Sequence, residues 1–256
     1  MSIFRSWRRR RIRRRPFPAD WDRFLRDNVP LYNLLPDPDR LELQSHVLVF
    51  LDEKLFEGCD GLRITDEVRL TVASQACLLL LHRPADYYPR FITILVYPDT
   101  YVAPDVKRRD GWLVTESDEA RAGEAWPYGT VVLSWKDVLA SRDPDQAGYN
   151  VVIHEFAHEL DEESGLTRSV ETTSPGEYAP WARTLHGEYE RLLEDLDHHR
   201  PTVLRDYAAT DLGEFFAVAT EAFFELPLDL RRFHPDLYDL LSSFYHLDPA
   251  QWHSAD

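Results

Sequence analysis

Apolar residues in the first third of the chain recur at the three- to four-residue spacing of amphipathic helices, with prolines between the runs. This pattern predicts a short helix near residues 19–28 and a longer one from about Asp39 to Leu55. Thr65 is a typical N-cap residue, and it predicts the start of another helix that ends before Pro84. The N-terminal third is therefore expected to be mainly helical.

Two apolar runs rich in β-branched residues follow, FITILVY from Phe91 and GTVVLSW from Gly129. Such runs, bounded by turn-forming residues, predict strands. The segment GWLV between them has room for one more short strand, so we expect a small mixed sheet of three or four strands. KDVLASRDPDQAGYN then predicts a short helix and a loop that lead to Val151.

The segment VVIHEFAHELD, which begins at Val151, has apolar residues on more than one side of a helix and is predicted to be buried. His154 and His158 are four residues apart, so their rings lie on one helix face and can converge on a single ion. Glu155 is offset by about a quarter-turn. The pattern H-E-x-x-H on a helix is typical of a zinc site in which the glutamate acts as general base. The alternative is a pair of core histidines, whose burial without partners would cost on the order of several kcal/mol.

A catalytic zinc site needs a third protein ligand. The next histidine after His158 is His186, too distant for a short-spaced third histidine, so a carboxylate from another segment is expected. A second predicted buried helix in YAATDLGEFFAVATEAFFELP places Glu214, Glu221 and Glu225 near one stripe. Glu214 could be the ligand, or it could complete a capping box that starts three residues earlier.

Two further carboxylates are candidates for contacts that orient the ligands. Asp161 shares the histidine face and is expected to accept a hydrogen bond from an imidazole N–H. Glu221 is either a similar acceptor or simply a carboxylate on the helix stripe. Glu159 and Glu162 are predicted to lie on another face of the first helix.

Charge is distributed unevenly along the chain. Eight arginines in the first 15 residues supply +8 of a net charge of −16, so residues 16–256 carry −24. So acidic a folded body argues against binding to nucleic acid, because phosphates require a positive surface. We expect residues 1–15 to form a disordered, solvated arm and residues 16–256 a single domain. Alternatively, the arm contacts nucleic acid, anionic lipid or the protein's own acidic surface. The arginines are Arg5, Arg8, Arg9, Arg10, Arg11, Arg13, Arg14 and Arg15.

The chain carries no pattern expected of an exported or membrane-spanning protein. PFPADWDRF follows the arginines in place of an apolar signal segment. The longest apolar run, ACLLLLH from Ala76, is much shorter than the ~20 residues that span a bilayer. Cys59 and Cys77 lack zinc-knuckle spacing and are predicted to be buried free thiols. These features favour the cytoplasm, a reducing compartment.

With both motifs in view, the chain resembles the Mlc titration factor A family of bacterial zinc peptidases. The resemblance rests on HEFAHELD and YAATDLGEFFAVATEAFFELP, together with PYGTVVLSWKDVL, GYNVVIHEFAHELD and HPDLYDLLSSFYHLDP. It runs from about residue 20 to residue 250. It implies a zincin-like α+β (α/β) domain, mostly helical, with a small mixed sheet beside the H-E-x-x-H helix.

The resemblance also implies which residues form the site. One zinc ion per chain would be bound by His154, His158 and Glu214, which favours the ligand over the cap. Glu155 would be the catalytic base, and Tyr207 of YAAT would take part in catalysis. A phenol near zinc can donate a hydrogen bond to an oxyanion. Without the resemblance, Tyr207 would be read as a buried aromatic before a helix.

The resemblance implies an aminopeptidase-like enzyme that hydrolyses peptide substrates and also binds a transcriptional repressor such as Mlc. The alternative is a non-enzymatic regulatory protein that sequesters a repressor, with zinc in a structural role. After the histidine motif, DEESGLTRSVETTSPGEYAPW is more acidic than the corresponding family segment. This departure leaves the substrate preference open.

Overall fold

The computed structural model describes residues 3–99, 129–172 and 179–253, and two short backbone segments at 108–109 and 112–113. Helices account for most of the described residues. In chain order the helices are α1 (Ile3–Ile12), α2 (Ala19–Asn28), α3 (Pro30–Leu34), α4 (Asp37–Glu53), α5 (Asp66–Leu78), α6 (Trp135–Ala140), α7 (Val151–Ser164), α8 (Leu166–Thr172), α9 (Pro180–Asp197), α10 (Leu212–Glu225), α11 (Pro227–Phe233) and α12 (Pro235–Tyr245).

The described part of the chain contains a small parallel sheet. Its strands are β1 (Leu55–Gly58), β2 (Phe91–Tyr97) and β5 (Gly129–Ser134), with β2 in the middle. Ile94 on β2 aligns with Phe56 on β1 and Val131 on β5, and it is fully buried. Two short segments, β3 (Arg108–Arg109) and β4 (Trp112–Leu113), form a separate antiparallel pair.

Most of the predicted elements are confirmed. Helix α2 covers the predicted residues, and the Thr65 hydroxyl accepts a hydrogen bond of 3.3 Å from the N–H of Val68 at the start of α5. The strands from Phe91 and Gly129 are also confirmed. The mostly helical α+β fold with a small sheet agrees with the expected zincin-like domain.

Two details of this prediction were wrong. The three-stranded sheet is parallel, whereas a mixed sheet was expected. The helix predicted to run to Leu55 ends at Glu53, and the chain continues directly as strand β1. The backbone there aligns with β2, so pairing with a distant strand prevails over the local helical pattern.

The arginine-rich segment differs from the expected disordered arm, because residues Ile3–Ile12 form helix α1. Arg9 is only 5% exposed, and its guanidinium donates to both carboxylate oxygens of Glu53 at 2.8 Å and to Asp86 Oδ1 at 2.6 Å. Ile12, which follows Arg9 by three residues in α1, is also buried. Part of the segment therefore contacts the protein's own acidic surface, which was one of the alternatives.

The core beneath α7 orients the histidine motif. Phe156 is fully buried, and its ring centroid lies 4.7 Å from that of Tyr88, 5.6 Å from Phe91 and 5.7 Å from Phe50. Because Phe156 is two residues from both His154 and His158, it points to roughly the opposite side of the helix. Packing of Phe156 therefore turns the two imidazoles away from the aromatic cluster.

Both cysteines are free; Cys77 is buried as predicted, whereas Cys59 is only half-buried. Among the described residues, no helix combines the length and apolar character needed to cross a membrane.

Candidate metal centre

Helix α7 brings the two motif histidines together. Its N-cap residue is Asn150, whose side-chain oxygen accepts a 3.0 Å hydrogen bond from the N–H of Ile153. His154 is 8% exposed, and its ring centroid lies 4.8 Å from that of His158. The Nε2 atoms of the two rings are 3.2 Å apart. The predicted convergence of the imidazoles is therefore present.

Helix α10 brings Glu214 to the same point. Its Oε2 atom lies 3.0 Å from Nε2 of His154 and 3.5 Å from Nε2 of His158. The ligand atoms of the three residues all lie within 4.8 Å of one another. Asp211 caps the helix by accepting a 2.8 Å hydrogen bond from the N–H of Glu214. The backbone of Glu214 thus takes part in the cap, while its side chain reaches the imidazoles.

The chemistry of these atoms fits a divalent cation. Nδ1 of His154 lies 2.8 Å from a carboxylate oxygen of Glu221, which favours the tautomer with the proton on Nδ1. In that neutral tautomer Nε2 is a lone-pair acceptor, and it faces a carboxylate oxygen of Glu214. Two imidazole nitrogens and one carboxylate oxygen form the ligand set that zinc commonly takes in catalytic sites. His154, His158 and Glu214 can therefore hold a metal ion.

Glu221 is the centre of a buried network behind His154. It is fully buried, and its second oxygen accepts a 2.6 Å hydrogen bond from the backbone N–H of Asn150. The guanidinium of Arg205 also donates to Glu221 and lies 4.9 Å from the ring centroid of Tyr149. These contacts fix the carboxylate that lies against Nδ1 of His154 and orients its ring.

Asn150 further connects the two helices through Glu225. Its side-chain amide donates a 2.9 Å hydrogen bond to Oε1 of Glu225, which is half-buried. Burial raises the pKa of Glu225 to about 7, and the charge of Glu221 acts in the same direction. The hydrogen bond from Asn150 opposes this shift.

The remaining predicted residues lie at different places around the histidines. Tyr207, in a 3-10 helix at Asp206–Ala209, is 51% exposed, and its ring centroid is 6.0 Å from that of His154. It is therefore not the buried aromatic of the alternative interpretation. Glu155 is half-buried on α7. Asp161 accepts hydrogen bonds of 2.8 and 2.5 Å from the backbone and hydroxyl of Thr167, so it fixes the turn into α8.

Glu159 and Glu162, which were predicted to lie on another face of α7, have surroundings outside the ligand set. Glu162 accepts a 2.9 Å hydrogen bond from Arg168 and lies 3.5 Å from Arg90. Burial raises the pKa of Glu159 to about 7, although the positive charges of Arg90 and Lys54 oppose the shift. These carboxylates belong to the surroundings of α7 and not to the ligand set.

Two residues of the network were not predicted from the sequence. Asn150 stands directly before the apolar helix pattern, and its N-cap character is a local signal that could have been used. Arg205 lies 16 residues from Glu221 in a segment without a regular pattern, and its partner is set by the tertiary fold. No local sequence signal identifies Arg205.

The chain is similar to known proteins over nearly its whole length. The family model described as glucose-regulated metallo-peptidase M90 matches residues 4–246. An uncharacterised protein of Synechocystis is 40% identical over 246 residues, which cover 95% of this chain and 90% of that protein. Mlc titration factor A of Serratia proteamaculans is 32% identical, with 86% of this chain and 85% of the relative covered. The Yersinia pestis protein of the same name is 30% identical, with 90% and 85% covered.

The family match begins at residue 4, so it includes all of α1 except Ile3, whereas the resemblance was expected to start near residue 20. Metallopeptidases of this kind require a metal ion, and the histidines of α7 with Glu214 of α10 offer a place for one. The chain belongs to the glucose-regulated metallo-peptidase M90 family.

Proposed function

We propose that this protein is a zinc-dependent peptidase with aminopeptidase-like activity. His154, His158 and Glu214 would bind one zinc ion, and Glu155 would be the general base. The observation that carries the proposal is the convergence of two Nε2 atoms and a carboxylate oxygen from α7 and α10. Membership of a metallopeptidase family supports the same reaction class.

A bound zinc ion lowers the pKa of a water ligand toward ~7 and polarises a peptide carbonyl. Glu155 follows His154 in the chain and is half-buried, and its carboxylate would take a proton from the attacking water. The same carboxyl group would then give this proton to the leaving amine. Water and a peptide bond are consumed, and a carboxylate and an amine are formed.

Tyr207 would stabilise the negative charge that develops on the carbonyl oxygen. Its ring lies 6.0 Å from that of His154 and remains 51% exposed, so a substrate can approach its hydroxyl. A phenol that donates a hydrogen bond to an oxyanion typically contributes about 10²- to 10³-fold in rate. Asp206 and Ala209 bound the 3-10 turn that presents this side chain.

Glu221 would keep the His154 ring in the orientation and tautomer that a metal ligand needs. Arg205 and the N–H of Asn150 hold the Glu221 carboxylate in place. Partners of this kind typically change metal affinity by about 10- to 100-fold when they are removed. Arg205 is thus proposed to act through Glu221, and not on the substrate.

Hydrolysis of amino-acid anilides by the purified protein tests the proposed reaction. Glu155→Gln should retain zinc and lose about 10²- to 10⁴-fold in turnover, because the amide cannot accept the proton. Glu162→Gln, which changes a carboxylate of α7 that accepts a hydrogen bond from Arg168, is the matched control and should keep full activity. Undiminished turnover by Glu155→Gln would reject the assigned base.

The names of two relatives support a second function. Proteins of Serratia and Yersinia at 32% and 30% identity are named Mlc titration factor A, which links them to the repressor Mlc. We propose that this chain also binds a repressor of that kind in the cytoplasm, where its free thiols would stay reduced. Capture of purified Mlc by both wild type and Glu155→Gln would support this function. If neither wild type nor Glu155→Gln captured Mlc, the proposed repressor binding would be contradicted.

A further inference from the structure

Helix α1 has an inner face that is buried against the rest of the protein and an outer face that is exposed to solvent. On the inner face, Arg9 and Ile12 are buried against the body. On the outer face, Phe4 is 85% exposed and Trp7 is 64% exposed. The guanidinium of Arg11 lies 6.0 Å from the ring centroid of Trp7. Two large aromatic side chains thus stand in solvent on a helix that is otherwise rich in arginine.

Four arginines on or directly after α1 are available to an external partner. Arg10, Arg11, Arg14 and Arg15 are exposed, and within the described part of the chain their side chains form no ion pair. An open groove of about 500 Å³ beside the helix brings Arg10 and Arg14 together with other arginines of the segment. Its lining is Ser6, Arg9, Arg10, Arg13, Arg14, Ala85 and Tyr87.

This positive surface contrasts with the rest of the protein. Residues 16–256 carry a formal charge of −24, whereas residues 1–15 carry +8. An anionic surface would therefore repel the body and attract α1, which would orient the molecule with α1 toward that surface. Because ion pairs with Asp52, Glu53 and Asp86 anchor the inner side of α1, the outer side is presented on a fixed support.

We propose that the outer face of α1 docks the protein onto a bilayer that contains anionic phospholipids. Phe4 and Trp7 would enter the boundary between headgroups and acyl chains, where aromatic side chains are favoured. Arg10, Arg11 and Arg14 would contact lipid phosphates from the groove and the outer face. The exposed aromatics favour lipid over duplex nucleic acid, because arginines alone suffice for phosphate contacts along a duplex backbone.

Co-sedimentation of the full chain with vesicles tests this surface. Wild type should bind phosphatidylcholine vesicles with about 30% phosphatidylglycerol and should not bind phosphatidylcholine alone. The partition coefficient should fall steeply as NaCl rises from about 0.1 to about 0.5 M. Failure to bind the anionic vesicles at the lower salt concentration would overturn the proposal.

Two double variants separate the contributions of charge and of the aromatics. Arg11→Gln with Arg14→Gln should lower the partition coefficient roughly 25-fold, about fivefold for each arginine near the surface. Phe4→Ser with Trp7→Ser should lower it roughly tenfold or more, because the apolar insertion is lost. These residues are exposed and remote in the chain from the ligands, so zinc content and peptidase activity should not change.

Helix α11 provides matched controls, because Leu228 and Phe233 are also exposed and two arginines follow each other there. Leu228→Ser with Phe233→Ser, and Arg231→Gln with Arg232→Gln, should change the partition coefficient less than about twofold. Equal losses from the α11 and α1 variants would contradict a specific role for α1.

Binding of a fluorescent double-stranded oligonucleotide is measured in parallel. Lipid docking predicts that Phe4→Ser with Trp7→Ser weakens binding to vesicles far more than any residual binding to the oligonucleotide. Tight oligonucleotide binding that requires Arg11 and Arg14, without binding to anionic vesicles, would assign the surface to nucleic acid and overturn the proposal.

Discussion

Two buried polar clusters of this protein balance their charges by different means. Around α1, the guanidinium of Arg9 lies between the carboxylates of Glu53 and Asp86, so a cation of the chain itself pairs with both. Between α7 and α10, imidazole nitrogens and a carboxylate oxygen of Glu214 face one another. The first cluster is complete with protein atoms, and the second has the geometry of a set of ligands for a cation from solution.

The difference shows how a structural ion pair can be told from a candidate metal centre. Although burial opposes its charge, hydrogen bonds to Glu53 and Asp86 hold the pKa of Arg9 above its usual value. At this structural ion pair, Arg9 thus supplies a hydrogen-bond donor to each of the two carboxylates. At the candidate metal centre Arg205 pairs with Glu221, which in turn contacts His154, and the candidate ligand atoms themselves are potential acceptors. Removal of metal should accordingly affect only the second cluster.

The largest effect on stability is expected when the first cluster loses its cation. Arg9→Met leaves the 9% exposed side chain of Glu53 with only the more exposed guanidinium of Arg5, at 3.3 Å, which should cost about 3 kcal/mol of unfolding free energy. Urea unfolding measures this cost, and it should be the same with and without a chelator. Arg10→Met, at an exposed position, should change stability by less than about 0.5 kcal/mol. If the loss of unfolding free energy in Arg9→Met depended on the chelator, the two clusters would not be independent.

A smaller effect, confined to the metal centre, is expected from Glu221→Gln. The amide cannot hold the proton of His154 Nδ1 and the guanidinium of Arg205 as the carboxylate does, so zinc affinity should fall about 10- to 100-fold. Competition with a chromophoric chelator measures this affinity. Glu188→Gln is a comparable control, because Glu188 accepts a 2.6 Å hydrogen bond from His234 outside the ligand set. Equal losses in both variants would contradict a specific role for Glu221.

The pH dependence of the unfolding free energy should show that Glu225, which adjoins the second cluster, titrates with a raised pKa. The raised pKa of Glu225, about 7, means that the folded protein binds this proton more tightly than the unfolded chain. The protonated carboxyl therefore stabilises the fold below about pH 4.5, and this stabilisation is lost as pH rises through about 7. Glu225→Gln should thus stabilise the protein by about 1.5 kcal/mol near pH 8 and by little near pH 4.5.

Unfolding free energies measured from pH 4.5 to pH 8 check this prediction about Glu225. Glu190→Gln, at a 60% exposed side chain, is the control and should show no such pH-dependent gain. A gain in Glu225→Gln that is constant over this range would mean that the carboxyl does not titrate with a raised pKa.

Local patterns predicted the parts of the fold whose causes are local. The Thr65 cap, the strand from Phe91 and the facing histidines depend on residues a few positions apart, and the sequence shows them directly. Strand β1 was missed because its four residues follow directly on an apolar helical pattern and owe their conformation to pairing with β2. Helix α1 was missed for a similar reason, since partners of Arg9 lie 44 and 77 residues away.

The candidate site shows the same limit. The sequence could place Glu214 and Glu221 on one stripe of a buried helix, but it could not choose between a cap and a ligand without the resemblance. The structure shows that the Asp211 cap and the approach of the Glu214 side chain to the imidazoles coexist. Arg205 was beyond prediction because its contact with Glu221 depends on how the 3-10 turn packs on α10.

Metal content is the most direct test of the ligand set. Elemental analysis of the purified protein should find about one zinc ion per chain, since two imidazoles and one carboxylate complete a catalytic zinc site. His158→Ala and Glu214→Ala should retain little zinc while keeping their helical content by circular dichroism, and Glu162→Gln should retain it all. A wild-type protein without any divalent metal, or a Glu214→Ala variant with full zinc, would contradict the proposed centre.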